Sequence, residues 1–174
     1  MLFTLGHGNR SLEACLELLR GAGVKAVVDV RRHPVSGRFP HFSEEPLRAA
    51  LEAEGMVYHW AGRQLGGRRE PRPDSPHTAL EGGMRGYADH METAAFQKGI
   101  AQLLNLAGRT PTAILCAERD PDRCHRSLIA DYVTVRGVRV FHLIAPGPFL
   151  EHRLHPMARV EGERLLYDRV RPLL

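Results

Sequence analysis

The segment CAERDPDRCHR, from Cys116 to Arg126, brings two thiols, a carboxylate, an imidazole and a guanidinium into one short stretch. It follows the apolar run TAILCA (112–117) and precedes a helical pattern carrying Leu128, Ile129, Tyr132 and Val133. A strand–loop–helix unit sets the helix N-terminus beside the strand tip, where free N–H groups and the helix dipole attract anions. The same field lowers a thiol pKa and favours thiolate. Cys116 at the strand tip and Cys124 near the helix start are therefore candidate nucleophiles. Glu118, His125 and His7 are the candidate proton carriers, and Arg126 a candidate anion holder. The alternative for each cysteine is a small buried hydrophobe. Which of the two reacts stays open. A tyrosine-phosphatase-type loop would need arginine at position 122, and Asp122 stands there. No cofactor is expected, but Cys116, Cys124 and His125 form an alternative metal set, with His7 or His33 as the fourth ligand. The seven residues between the cysteines are more than the usual ligand spacing.

Two more polar clusters follow apolar runs. Leu2–Leu5 stops at Gly6-His7-Gly8-Asn9-Arg10, a glycine-bracketed turn that a ligand can approach closely. It is not GxGxxG, because Ser11 holds the third glycine position, so the dinucleotide signal is weak. Asn9 is read as a substrate contact or as a turn former bonding its own backbone. The run KAVVDV (25–30) contains Asp29, and Arg31, two residues on, shares its face. A carboxylate in an apolar strand needs a partner. The pair is a structural ion pair, or Asp29 aims Arg31 at an anion, with Arg32, His33 and Arg38 nearby. The expected anion-binding set is thus Asn9, Asp29, Arg31, Arg32, Arg38 and Arg126. The remaining histidines read singly as structural, His155 being the one that could return to the site.

Periodicity supplies the elements that must position these groups. Ser11 caps a helix with Leu12, Cys15, Leu16 and Leu19 on one face, ended by Gly21 and Gly23. Ser43 caps a second with Leu47, Ala50 and Leu51, and Thr93 a third with Phe96, Ile100, Leu103 and Leu104. Met56–Trp60 and Val138–Ile144 read as strands, and Tyr87–Glu92 as a short helical turn. Ala61–Gly86 is a long Gly/Pro-rich loop bearing Arg63, Arg68, Arg69, Arg72 and Arg85, a candidate lid. Beyond Pro146 the pattern weakens, with a short helix expected near 159–169. Alternating strands and helices predict a single α/β domain over 1–174, with a mostly parallel sheet and helices on both faces. Ligands of such sheets bind beyond the carboxyl ends of the strands, where these polar clusters fall.

The 174 residues are 43% hydrophobic and 25% charged, which suits one globular domain and excludes a disordered or collagen-like chain. No run approaches the ~20 apolar residues of a spanning helix. MLFTLGHGNR has no basic region followed by an apolar one, so no secretory signal is expected and the protein is placed in the cytoplasm. Three cysteines, an odd number, fit a reducing compartment without a disulfide framework, and Cys15 suits a helix core face. Lys+Arg of 24 against Asp+Glu of 20 gives a net charge of +4, with Lys25 and Lys98 the only lysines. That permits a nucleic-acid partner without arguing for one.

The segments LFTLGHGN, VVDVRRHPVSGRFPHF, YADHM and LCAERDPDRCHR together resemble the DUF488 family of small bacterial and archaeal proteins, over about Leu2 to Val140. The positions matching its pattern are Gly6 and His7; Asp29, Arg31 and Pro34; Leu65 and Gly66; and Cys116, Glu118, Cys124, His125 and Arg126. Gly8-Asn9 departs from it where many relatives carry a hydroxyl, so no role at that turn rests on one. The resemblance implies fold and motif positions but no reaction. Three functions stand side by side. The first is a cysteine-dependent enzyme on an anionic, phosphate- or nucleotide-like small molecule. The second is nucleic-acid binding through the arginine-rich loop, although aromatic residues at 6% leave few stacking platforms. The third is a redox- or metal-responsive module using Cys116 and Cys124. No membrane partner is expected, and the oligomeric state is left open.

Overall fold

A computed structural model describes residues 1–169. Its strands are β1 (Leu2–Gly6), β2 (Ala26–Asp29), β3 (Val57–Trp60), β4 (Thr112–Cys116), β5 (Val140–His142) and β6 (Leu150–Glu151) in one sheet, with β7 (Ala158–Glu161) and β8 (Arg164–Tyr167) as a separate hairpin. The helices are α1 (Leu12–Gly21), α2 (Glu44–Ala53), α3 (Gly62–Leu65), α4 (Gly82–His90), α5 (Ala94–Arg109) and α6 (Arg126–Thr134). The sheet order is β3-β2-β4-β1-β5-β6, parallel except for β6 against β5. This is the expected α/β architecture. Among the described residues no helix is long and apolar enough to cross a membrane.

Strand alternation divides the core in two. Phe3, Leu5, Val27, Ala113 and Leu115 face Cys15, Leu16 and Leu19 of α1 and Leu47 and Leu51 of α2. Leu2, Val28, Ile114 and Cys116 face Phe96, Ile100 and Leu103 of α5 and Leu128, Ile129 and Val133 of α6. The central strands are buried along their whole length, as covering both faces of a parallel sheet requires. The neighbours β1 and β4 therefore send their following helices to opposite faces. A crevice opens at the carboxyl ends of this part of the sheet.

Several local expectations are corrected. Residues 159–169 do not form a helix; Gly162, at φ +61°, turns the chain into the β7–β8 hairpin, whose second strand buries Leu165, Leu166 and Tyr167. The segment 61–86 is not one loop, since it contains α3 and the start of α4. Ser43 precedes α2 as expected, but its hydroxyl accepts the Ser36 N–H instead of capping the helix. Ser11 and Thr93 do cap, accepting from Ala14 N and Phe96 N. His155 does not return to the crevice; it packs on Tyr167 and donates its backbone N–H to Asp131.

A buried polar chain ties β1, β5, α6 and the C-terminal segment together. Arg126 Nε–H donates to Thr4 Oγ1, which donates to His142 Nδ1 at 2.6 Å. His142 Nε2–H donates to His152 Nδ1 at 2.9 Å, and His152 Nε2–H to Asp131 Oδ1 at 2.6 Å. A carboxylate can only accept, so the nitrogen of His152 that faces Asp131 carries a proton. Burial, with the neighbouring His152 and Arg126, pushes His142 down to about 3. Unfolded histidine titrates near about 6.5, so below that pH the unfolded chain binds a proton the fold excludes. His142 therefore contributes stability above about pH 6.5 that is lost as pH falls towards about 3. Thermal melts are expected to be flat above about pH 7 and to fall below about pH 6, with His142→Gln flattening the fall. Equal pH dependence in the two proteins would contradict this assignment.

Candidate functional site

Three strand ends line the crevice. His7 follows β1, Arg31, Arg32 and His33 follow β2, and Cys116 and Ala117 end and follow β4; Gly67, Arg68 and His125 close the opposite wall. The cavity is about 240 Å³. The β1 and β4 turns stay paired beyond the strands, His7 N–H donating to the Cys116 carbonyl and Gly8 N–H to that of Ala117. Gly6 allows this closeness, because a Cβ there would lie 1.8 Å from the Glu118 carbonyl oxygen.

At the floor, His125 Nε2 lies 3.0 Å from the Val30 carbonyl oxygen, so that nitrogen carries the proton. Nδ1 is left with its lone pair facing two sulfurs, 4.0 Å from Cys116 Sγ and 3.8 Å from Cys124 Sγ. Cys116 lines the crevice while Cys124 lies behind it, both buried. The neighbouring Cys124 thiol holds the Cys116 thiol well below its ordinary range against the opposing effect of burial, with His125 and Arg126 acting in the same direction. Cys124, beside the Cys116 sulfur and desolvated, is pushed well up.

The surrounding residues play unequal parts. Asp29 and Arg31 form a bidentate pair at 2.9 and 2.6 Å, with Asp29 fully buried and also accepting the Tyr58 hydroxyl. Arg31 Nη1 donates to the Phe42 carbonyl and, at 3.4 Å, to His7 Nε2. Asp29 thus positions Arg31 as a fixed positive charge in the wall with few donors left over. His7 gives its Nδ1–H to the Gly8 carbonyl, stacks on Phe42 at 4.3 Å, and is held by burial below its ordinary pKa. Its Nε2 lone pair belongs to a neutral ring. Arg32 is exposed at the rim and donates one N–H to the Arg68 carbonyl. Arg68, at φ +59°, adopts a left-handed backbone that few non-glycine residues take.

Besides the buried Cys124 and Asp29, four sequence candidates do not line the crevice. Arg126 is fully buried, and its guanidinium binds Thr4 Oγ1 and the carbonyls of Glu118 and Arg119. It holds the turn after β4 and acts on Cys116 by its field. Glu118 is exposed and lines a separate cleft of about 680 Å³ with His142 and His152, on the other side of that turn. Asn9 is exposed, and Arg38 lies over the Phe39 ring away from the opening. Sequence reasoning missed Gly67 in this wall and placed Arg68 only among the arginines of the long loop. Their place depends on α4, where Tyr87 OH donates to the Leu65 carbonyl and His90 Nε2–H to that of Gln64. Asp89 accepts from Arg72 N and Ser75 Oγ. The YADHM motif therefore staples the 61–86 segment in place. Of that segment's arginines, Arg69 binds the Gly66 and Arg63 carbonyls, Arg85 the Ser75 carbonyl and Arg72 the Glu92 carboxylate.

A doubly covered parallel sheet with a cysteine–histidine pair at its switch crevice is the class these observations define. The family model described as domain of unknown function DUF488 matches residues 11–133, the greater part of the chain, which therefore belongs to the DUF488 family. No curated protein and no solved structure matches the chain.

Asp29→Ala would leave the Arg31 charge buried without its carboxylate. A loss of about 3–5 kcal/mol is expected, read as a lower urea midpoint. Gly67→Ala would place a Cβ 2.8 Å from His125 Nδ1. It is expected to displace the ring and slow alkylation of Cys116 at least tenfold while the far-ultraviolet circular dichroism stays native; an unchanged rate would mean that the ring does not assist the sulfur.

Proposed function

We propose that this protein is a cysteine-dependent enzyme acting on a small anionic molecule, with Cys116 as its nucleophile. The observation that carries the reading is the Cys116–His125 pair on the floor of a small cleft with arginines at its wall and rim. Cys116 Sγ bonds to an electrophilic atom of the substrate, its proton passing to His125 Nδ1, the one ring nitrogen with a free lone pair. The leaving group departs with the bonding pair and recovers that proton. Arg32 and Arg68 supply the guanidinium donors that meet a phosphate- or carboxylate-like group, and Arg31 holds a fixed charge behind them. His7, neutral and facing the same space, is the candidate base for the water that completes the cycle. Nucleic-acid binding is the weaker reading, because Arg69, Arg72 and Arg85 are engaged within the fold.

The test is alkylation by iodoacetamide of metal-free, reduced protein at neutral pH, with the modified residue located by mass spectrometry. Cys116 is expected to react at least tenfold faster than Cys15, which is 1% exposed. His125→Gln, which keeps a donor for the Val30 carbonyl, is expected to slow it tenfold or more. Inorganic phosphate or a nucleoside monophosphate is expected to protect Cys116, and the Arg32→Ala, Arg68→Ala double variant to lose the protection. If Cys116 reacts no faster than Cys15, or anions leave its rate unchanged, the reading fails.

A further inference from the structure

The two sulfurs and the free ring nitrogen have a second chemistry in common. Cys116 Sγ, Cys124 Sγ and His125 Nδ1 all lie within 4.8 Å of one another. A tetrahedral zinc, with Zn–S of about 2.3 Å and Zn–N of about 2.0 Å, sets its ligand atoms about 3.5–3.8 Å apart. The Nδ1–sulfur separations of 3.8 and 4.0 Å need to close by only a few tenths of an ångström. The tautomer is already the one a metal needs. His125 gives its Nε2–H to the Val30 carbonyl, the outer bond that commonly orients a metal-binding imidazole, and Nδ1 points inward unprotonated. Two thiolates neutralise a divalent cation, so such an ion could sit among the neighbouring arginines without adding net charge. Cys116 borders the crevice, so the fourth position faces open space.

We propose that Cys116, Cys124 and His125 bind one thiophilic divalent cation of the zinc class, with the fourth position open to the crevice. The site stands on the three ligand atoms alone. Its consequence rests on the function proposed above: the metal and the substrate compete for the Cys116 sulfur, so bound zinc silences the nucleophile. Binding releases to solvent the protons that the two thiols still carry, with no change in oxidation state.

The other cluster of ligand-type residues, His77 with Asp89 and Glu92, does not share this chemistry. His77 Nδ1 accepts the Tyr167 N–H, so its Nε2 carries the ring proton. Glu92 already binds Arg164 and Arg72, and Asp89 binds Arg72 N and Ser75. A cation there would have to displace guanidinium groups and a ring proton.

The experiment titrates the reduced, metal-free full chain with Co²⁺ and follows thiolate-to-cobalt charge-transfer absorption. One equivalent is expected to saturate the band, and Zn²⁺ to abolish it. Cys116→Ser and Cys124→Ser are expected to weaken Co²⁺ binding at least a hundredfold, and His125→Gln at least tenfold. Each variant is compared at matched thermal stability, and Cys15→Ser, which removes the remaining thiol, is expected to leave the band intact. One equivalent of Zn²⁺ is expected to slow Cys116 alkylation at least a hundredfold. Absence of a stoichiometric band, or a band that survives either Cys116→Ser or Cys124→Ser, overturns the proposal. Fast alkylation without cobalt binding removes the metal site and leaves the nucleophile. Cobalt binding with a sluggish Cys116 in the metal-free protein does the reverse.

Discussion

The buried Arg126 guanidinium is the constraint on which the site depends. It is fully enclosed, and its hydrogen-bond partners are a threonine hydroxyl and two backbone carbonyls, none of them charged. A cation in that position is costly unless dipoles solvate it or an anion lies near. The carbonyls of Glu118 and Arg119 provide the dipoles, and holding them fixes the turn that carries the chain from Cys116 to Cys124. Arg126 is among the groups that lower the pKa of the nearby Cys116, so its field favours an anion at that sulfur. One side chain thus sets the loop's shape and favours an anion at the strand tip.

The same guanidinium reaches away from the crevice. Through Thr4 it begins the chain His142–His152–Asp131, which closes on the Tyr167 hydroxyl. This chain anchors β5, the segment before the C-terminal hairpin and the hairpin itself to the centre of the sheet. The C-terminal segment, whose pattern is weak, is held by this polar network and by the burial of Ala158, Leu165 and Tyr167 against the α5–α6 side of the core.

The opposite wall of the crevice is positioned by a second device. Gly67 and Arg68 belong to a stretch with little regular structure, yet Tyr87, Asp89 and His90 of α4 bind its backbone on both sides. These bonds hold the segment against α4 as one wall of the crevice. The His125 ring, packed between Gly67 and Tyr87, has its plane set by that wall and its tautomer by the Val30 carbonyl.

By itself the sequence determined the sheet and its helices, because apolar runs and 3.6-residue periodicity report burial directly: TAILC is buried throughout and the Leu12–Gly21 helix buries the face predicted for it. It also determined that chemistry-bearing residues gather after β1, β2 and β4, since parallel strands place their carboxyl ends on one edge. It could not tell Arg126 from Arg32. One follows a polar loop and the other a strand, and only the packing shows that the first is enclosed by carbonyls and the second lies on the rim. Glu118 and Cys116 are two residues apart, yet the turn sends them to different clefts. The 159–169 helix failed because that stretch has little apolar patterning and the hairpin's pairing follows from Gly162 and from long-range contacts. The pairing of both cysteines with one free imidazole nitrogen was decided only by tertiary structure, because it depends on a hydrogen bond to Val30, a residue ninety-five positions away along the chain.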